Sequence, residues 1–164
     1  MTAPSLSEML DVAGAHARTV LIDKQTESML PIFDLRDAEG NGYIVAGEFT
    51  GDTRDEEVAC KDAFAALVRK LIIQHKIIQY SFMTEAWMIV RTKYTEGIST
   101  PPVDCADRIE VVIATAQSGT EYQMRRWLLQ RDASGKAVDL VPDPPLEGET
   151  PTPSGRFDNL LDGQ

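Results

Sequence analysis

Four carboxylates on the predicted strands are the residues of this chain best suited to chemistry. Asp34 and Glu48 lie on one predicted hairpin, and Glu85 and Glu110 lie on two strands that we expect to be neighbours. Paired carboxylates can hold a divalent metal ion or act in acid-base catalysis. A nuclease-type core would add a lysine two residues after a glutamate, and neither Glu48 nor Glu110 has one. Cross-strand ion pairs are the simpler interpretation, and a dispersed metal-binding carboxylate site is the alternative.

The histidines and cysteines show no pattern of a metal site or a catalytic pair. His16 and His75 lie on different predicted helices, and neither has a partner at the spacing of a zinc-binding motif. Cys105 lies among aspartates in a predicted loop, where negative charge disfavours the thiolate that a nucleophile needs. Cys60 lies on a predicted helix, and two cysteines form no disulfide framework. We therefore assign no catalytic residue, no metal ligand and no cofactor, and favour a protein that is not an enzyme.

The charge balance argues against a nucleic-acid partner. The chain carries 16 Lys and Arg against 26 Asp and Glu, which gives a net charge of -10 and a pI of about 4.6. Binding to a phosphate backbone is driven by basic residues that displace counterions. The closely spaced Gly40 and Gly42 lie in a predicted hairpin rather than between a strand and a helix, so they predict no phosphate-binding loop.

The composition is that of a globular chain without membrane segments. Of its 164 residues 43% are hydrophobic and 26% are charged, which are ordinary values for a globular domain. No apolar run approaches the roughly 20 residues that a membrane-spanning helix needs. The first residues lack the basic and apolar regions of a secretory signal. We therefore expect a cytoplasmic protein, with a virion as a second setting.

Aromatic and basic residues crowd one side of the predicted sheet. Trp87 and Arg91 lie on one long predicted strand, and Arg125 and Trp127 lie on another. The loop over residues 94–107 joins the first of these strands to the predicted strand 108–116 and is longer than a hairpin needs. If the two tryptophans share an open face, they form a patch with the composition of an interface hot spot; if they lie in the core, no patch forms. The hypothesis is a partner-binding patch of these four residues.

The C-terminal residues 143–164 are rich in proline, glycine and acidic residues, and cannot supply a core. We therefore divide the chain into a single domain, residues 1–142, and a C-terminal arm. Within the arm, Phe157, Leu160 and Leu161 have the i, i+3, i+4 spacing of one helical turn. They predict a short anchor that binds a neighbour and becomes helical only there. A frayed tail is the alternative.

Two amphipathic helices are indicated by capping boxes and by apolar periodicity. Ser5 and Glu8 begin the first helix, and Thr53 and Glu56 begin the second, which we predict over residues 54–77. The second helix has carboxylates in its first turn, where they suit the helix dipole. Its apolar stripe predicts four side chains buried against a sheet: Phe64, Leu67, Leu71 and Ile72.

Alternating apolar and polar residues, separated by short turns, predict the strands. Two strands flank the Asn41-Gly42 turn, a long strand follows the second helix, and two or three more end the domain. The predicted order is α-ββ-α-βββ(β). Short turns between successive strands imply a mostly antiparallel sheet, which we expect to be covered on one face by the helices. The fold class is therefore α+β. The predicted strand ranges are 30–36, 43–49, 80–91, 108–116, 120–131 and 138–141.

Two short motifs carry a resemblance to other proteins. The strand over residues 84–88 contains Glu-Ala-Trp, and residues 131–135 form an Arg-Asp-x-x-Gly turn after a valine-rich strand. Over about residues 53–140 the chain resembles short bacterial and phage proteins that have no established activity. The resemblance implies no catalytic residue, and it implies a phage or prophage origin.

These features together favour a non-catalytic protein-binding or assembly module. Such a module would assemble with copies of itself or with a virion partner, or it would bind a host protein. A metal-dependent hydrolase or nuclease with a dispersed carboxylate site is the alternative. The expected partner is a protein or a second copy of the chain, whereas nucleic acid and membrane are disfavoured.

Overall fold

The computed structural model describes residues 2–88, 108–144, 151, 153 and 155–163. These residues contain two α-helices and six strands in the order α-ββ-α-ββββ. A π-helical stretch, Thr19–Asp23, continues the first helix. The elements are α1 Leu6–Arg18, β1 Ile32–Asp37, β2 Gly42–Ala46, α2 Arg54–Gln74, β3 Ile77–Met88, β4 Ile109–Ser118, β5 Tyr122–Arg131 and β6 Ala137–Pro142.

The six strands form one sheet in the order β2-β1-β3-β4-β5-β6, and every neighbouring pair is antiparallel. The predicted α+β class and the predicted antiparallel sheet are thereby confirmed. The optional last strand of the prediction is a full strand, β6. The strand predicted to end at Arg91 is described as far as Met88, so its end lies outside the described residues.

Both helices begin at the predicted capping boxes. The Ser5 hydroxyl accepts the Glu8 N–H at 3.2 Å, and the Glu8 carboxylate accepts the Ser5 N–H at 2.7 Å. Thr53 and Glu56 make the same reciprocal pair at the start of α2. These bonds satisfy N–H groups that have no partner within the helix. The second helix ends at Gln74 rather than at 77, because the chain turns at Lys76, whose φ is 52°.

The two helices lie on opposite faces of the sheet, which corrects the expectation that they cover one face. In β3, Tyr80 and Phe82 pack in a cluster with Val68 and Ile72 of α2, whereas Met83 packs in a cluster with α1. Successive side chains of a strand point to opposite faces, so the two clusters lie on either side of the sheet. Because β3 has buried side chains on both sides, both sides need a cover. We call these sides the α1 face and the α2 face.

The helix α1 lies mainly over β3, β4 and β5. Its apolar stripe meets the small and branched side chains of the central strands, which explains why the helix approaches the sheet closely. This placement leaves β1 and β2 with less cover on the α1 face. The buried side chains of this core include Leu6, Met9, Leu10, Ala13, Ala17, Met83, Val112, Ala114, Ala116 and Leu129.

The helix α2 buries a narrower stripe than the sequence predicts. Ile72 and Val68 are fully buried, and Phe64 and Leu71 are partly buried. Leu67 is 48% exposed, so its predicted burial is wrong. The buried stripe is centred on Val68, and a residue one position away on an α-helix lies about 100° around the axis. Leu67 therefore lies on the flank of α2.

Candidate functional site

The carboxylates that the sequence placed on β3 and β4 are engaged with other groups of the chain. Glu110 accepts two hydrogen bonds of 2.7 Å from the Arg131 guanidinium. Glu85 accepts the Met29 N–H at 2.6 Å. Burial raises the pKa of Glu85, and the neighbouring Glu110 carboxylate acts in the same direction. The Glu110–Arg131 pair is a cross-strand ion pair, as the simpler interpretation of the sequence predicts, whereas Glu85 is bound by the backbone of a loop.

Among the described residues, the histidine and cysteine side chains form no cluster with these carboxylates. His75 stacks on the Tyr43 ring, with 4.3 Å between ring centroids, and the Cys60 thiol lies 3.3 Å from the Glu48 carbonyl oxygen. Cys105 lies outside the described residues. In the described ranges, no three His, Cys, Asp or Glu side chains lie close enough to hold a metal ion. The metal-dependent alternative therefore stays a prediction without an identified site.

The structure divides the predicted aromatic and arginine patch. The register of β3, β4 and β5 does place Trp87 and Trp127 on the same side of the sheet, the α1 face. However, α1 covers Trp127, and a methyl group on Gly14 of α1 would come within 2.7 Å of the Trp127 ring. Arg125 is paired with Asp11 of α1. Trp127 and Arg125 therefore contact α1 and help to hold it on the sheet.

Trp87 is the remaining described member of that patch. Its side chain is 39% exposed, and the Arg108 guanidinium lies over its ring at 4.1 Å from the centroid. Arg91 lies outside the described residues. The described members of the predicted patch therefore do not form one open surface, because α1 contacts both Trp127 and Arg125.

Residues 155–163, which we call the C-terminal segment, pack on the α2 face of their own domain. The chain has five phenylalanines, and Phe157 contacts the other four. The ring centroids lie 5.7 Å from Phe33, 5.6 Å from Phe49, 6.0 Å from Phe64 and 4.7 Å from Phe82. Aromatic pairs at such distances stabilise a core beyond their buried area. The segment therefore completes an aromatic core built by β1, α2 and β3.

Polar side chains of β3 and β4 hold the backbone of the C-terminal segment. Gln117 accepts the Asn159 N–H at 2.9 Å and donates its own amide to the Asn159 side-chain oxygen at 3.0 Å. The Tyr80 hydroxyl accepts the Leu160 N–H at 3.3 Å and lies 3.0 Å from the Phe157 carbonyl oxygen. Burial raises the pKa of Tyr80 further above its ordinary value of 10.0, so the hydroxyl keeps its proton and can donate.

The placement of the C-terminal segment differs from the prediction of a free anchor. Leu160 is 2% exposed, and Phe157 and Leu161 pack against the same cluster of the chain's own domain. The segment forms successive turns and no helix. The physical reason is that β3 and β4 present apolar side chains and the Gln117 amide beside α2. The segment buries the apolar side chains and forms hydrogen bonds with the amide. The division of the chain after residue 142 stays a prediction.

The edge strand β2 is the feature that the sequence-based search for a site overlooked. The Gly47 N–H donates to the Pro31 carbonyl at 2.9 Å, and β1 and β2 pair in a continuous antiparallel register. Backbone groups of successive residues alternate in direction, so Gly42, Ile44 and Ala46 direct theirs away from β1. No partner for these groups occurs among the residues that the structure describes. We call this row of outward groups the β2 edge.

Exposed apolar side chains lie beside the β2 edge on both faces of the sheet. On the α1 face, Val12 and Ile44 are 60% and 64% exposed and line a pocket of about 260 Å³. On the α2 face, the exposed Leu67 belongs to a row of α2 residues three or four positions apart. Two members of that row contact the β2 hairpin: Phe64 approaches Gly47, and His75 stacks on Tyr43. Leu67 therefore lies on the side of α2 nearest β2.

The opposite edge of the sheet, β6, has protective features that β2 lacks. Asp139 lies on β6 and pairs with Arg18 at 3.1 Å. Pro142 ends the strand, and the pairing with β5 is interrupted by an irregularity at Arg131. Charges, prolines and bulges on edge strands discourage pairing with another chain. The residues Gly42–Ala46 of β2 include none of these.

The chain matches no protein-family model, no curated protein and no solved structure. The resemblance to bacterial and phage proteins therefore stays a prediction. No helix in the described part of the chain combines the length and apolarity needed to cross a membrane.

Proposed function

We propose that the protein is a non-catalytic module that binds another protein chain through the β2 edge. The observation that carries the proposal is an uncharged edge strand with outward backbone groups, flanked by the exposed side chains of Val12, Ile44 and Leu67. An edge strand is a template for strand addition, in which main-chain hydrogen bonds supply affinity and neighbouring side chains supply specificity. Natural proteins protect such edges unless they are used.

The proposal covers both assembly into a larger structure and binding to a host protein, because each requires only a bound protein chain. The candidate partners are a second copy of the chain, a virion protein and a host protein, and the setting is the cytoplasm or a virion. A nucleic-acid partner is disfavoured because the net charge of -10 repels phosphates.

The proposal is tested by affinity purification with a matched pair of edge variants. The full-length protein, Ile44→Lys and Val138→Lys are immobilised in turn and exposed to an extract of the organism of origin. Val138 is the control because it is an apolar residue of the opposite edge strand and is 47% exposed. We expect the parent and Val138→Lys to retain the same protein, and Ile44→Lys to lose it, because a charge on β2 blocks strand addition.

Circular dichroism establishes that each variant is folded before the comparison is made. Equal retention of the partner by Ile44→Lys would contradict the proposal, as would a parent protein that retains neither a foreign chain nor a second copy of itself.

A further inference from the structure

We infer that the β2 edge pairs with the β2 edge of a second copy of this chain, around a two-fold axis at Ile44. The inference rests on the proposed binding role of the β2 edge and names the partner. This pairing joins two six-stranded sheets into one continuous antiparallel sheet.

The backbone of β2 suits this pairing. Antiparallel alignment about Ile44 places Ile44 opposite Ile44 of the second copy, and Gly42 opposite Ala46. These are the residues whose N–H and C=O groups point away from β1. In an antiparallel ladder such residues exchange both hydrogen bonds with the residue opposite. Every outward group from Gly42 to Ala46 therefore gains a partner.

The side chains of β2 are also self-complementary about Ile44. The pairing places two isoleucines side by side on the α1 face. On the α2 face it places Tyr43 opposite Val45, an aromatic residue beside a β-branched one, which is a favourable cross-strand pair. The exposed Val12 and Leu67 lie beside the new ladder, one on each face. Each copy thus brings apolar surface to both sides of the joint.

The charge of the β2 edge permits contact between two copies. Two copies with a net charge of -10 repel each other overall, but residues 40–47 carry no charged side chain, so the edge itself adds no repulsion. A basic partner would gain from the overall charge but would find no carboxylate on β2 itself.

The oligomeric state of the full-length chain is the first test. Light scattering should give twice the 18.1 kDa mass of the chain, with the dimer fraction rising with protein concentration. Salt should strengthen the dimer because it screens the repulsion between two acidic copies. Binding of a basic partner would weaken with salt instead, so the sign of the salt effect separates the two occupants.

Variants of the two edge strands locate the dimer interface. Ile44→Lys places two like charges at the axis, so we expect the dimer to weaken by about a hundredfold or more. Val138→Lys, on the opposite edge, should leave the dissociation constant unchanged.

A disulfide reports the register of the joint. In a Cys60→Ser, Cys105→Ser background, Ile44→Cys should form an intermolecular disulfide on oxidation. The two Cα atoms of such a pair lie about 5.5 Å apart, within the reach of a disulfide. Val138→Cys in the same background is the control and should remain reduced.

The outcomes separate this inference from the proposed function. A monomer at every concentration, or a dimer that Ile44→Lys does not weaken and Ile44→Cys does not cross-link, overturns the pairing of two copies. If the extract then yields a foreign partner that Ile44→Lys loses, the binding role of the β2 edge stands with that partner. If it yields none, both proposals fail.

Discussion

The C-terminal segment and the β2 edge are two apolar regions with opposite environments. Leu160 of the segment is 2% exposed, whereas Ile44 of β2 is 64% exposed. The sequence pointed to the segment as the partner-binding region, because its apolar residues stand alone in a polar arm. The structure finds a surface for them within the domain. Apolar residues are available to a partner only where the fold leaves them uncovered, and spacing along the chain does not decide this.

The largest expected effect is a loss of stability in the C-terminal segment, and one substitution in each region tests the contrast. Leu160→Ala should lower the free energy of unfolding by about 2–5 kcal/mol, because it removes a buried side chain and leaves a cavity. In protein dilute enough to be monomeric, Ile44→Ala removes an exposed side chain, so the change should stay within about 0.5 kcal/mol. Chemical denaturation of the two variants measures both values. If Leu160→Ala unfolds at the same denaturant concentration as the parent, the segment is not part of the folded domain.

A smaller effect is expected from the polar contact that holds the segment. Asn159→Ala leaves the buried Gln117 amide without its acceptor, which costs about 1–3 kcal/mol. Asn159 has a φ of 57°, which alanine adopts with strain and glycine without it. Asn159→Gly should therefore lose less stability than Asn159→Ala. Thermal melts of the two variants check this order. An equal loss of stability would show that backbone strain at this position does not contribute.

The smallest effect is expected at the surface ion pair of the segment. Arg156 lies 2.7 Å from Asp62 of α2, and both side chains are more than one third exposed. Exposed ion pairs contribute about 0–1 kcal/mol, so Arg156→Gln should hardly change the melting temperature. A large drop would show that charge, and not the aromatic core, fixes the segment. The same melt in high salt provides a control, because salt screens an exposed pair.

Local signals in the sequence were sufficient for the elements and their order. Ser5 with Glu8, and Thr53 with Glu56, mark helix starts that the structure confirms. Alternation within β3 and β5 predicts the two strands, but only their register through β4 places Trp87 and Trp127 on one side of the sheet. The helix starts and the alternation depend on residues a few positions apart, or on the two-residue period of a strand.

The remaining features depend on contacts between distant parts of the chain. Both sides of β3 carry apolar residues, and nothing local tells which helix covers Tyr80 and which covers Met83. The cover over Trp127 depends on where α1 lies. The missing charge over residues 40–47 was visible in the sequence. It has meaning only once β2 is known to be an edge strand, which follows from the long-range pairing of β1 with β3.

The ring contact between Phe33 and Phe157 has a consequence for the time course of folding. The two residues are separated by most of the chain, yet their centroids lie 5.7 Å apart. Contacts of such sequence separation form late, since the entropy of closing the intervening loop must be overcome first. The hairpins of β4, β5 and β6 can form from nearer contacts. Until the C-terminal segment packs, the aromatic side chains of the α2 face remain exposed to water. During that interval the chain is most prone to aggregate.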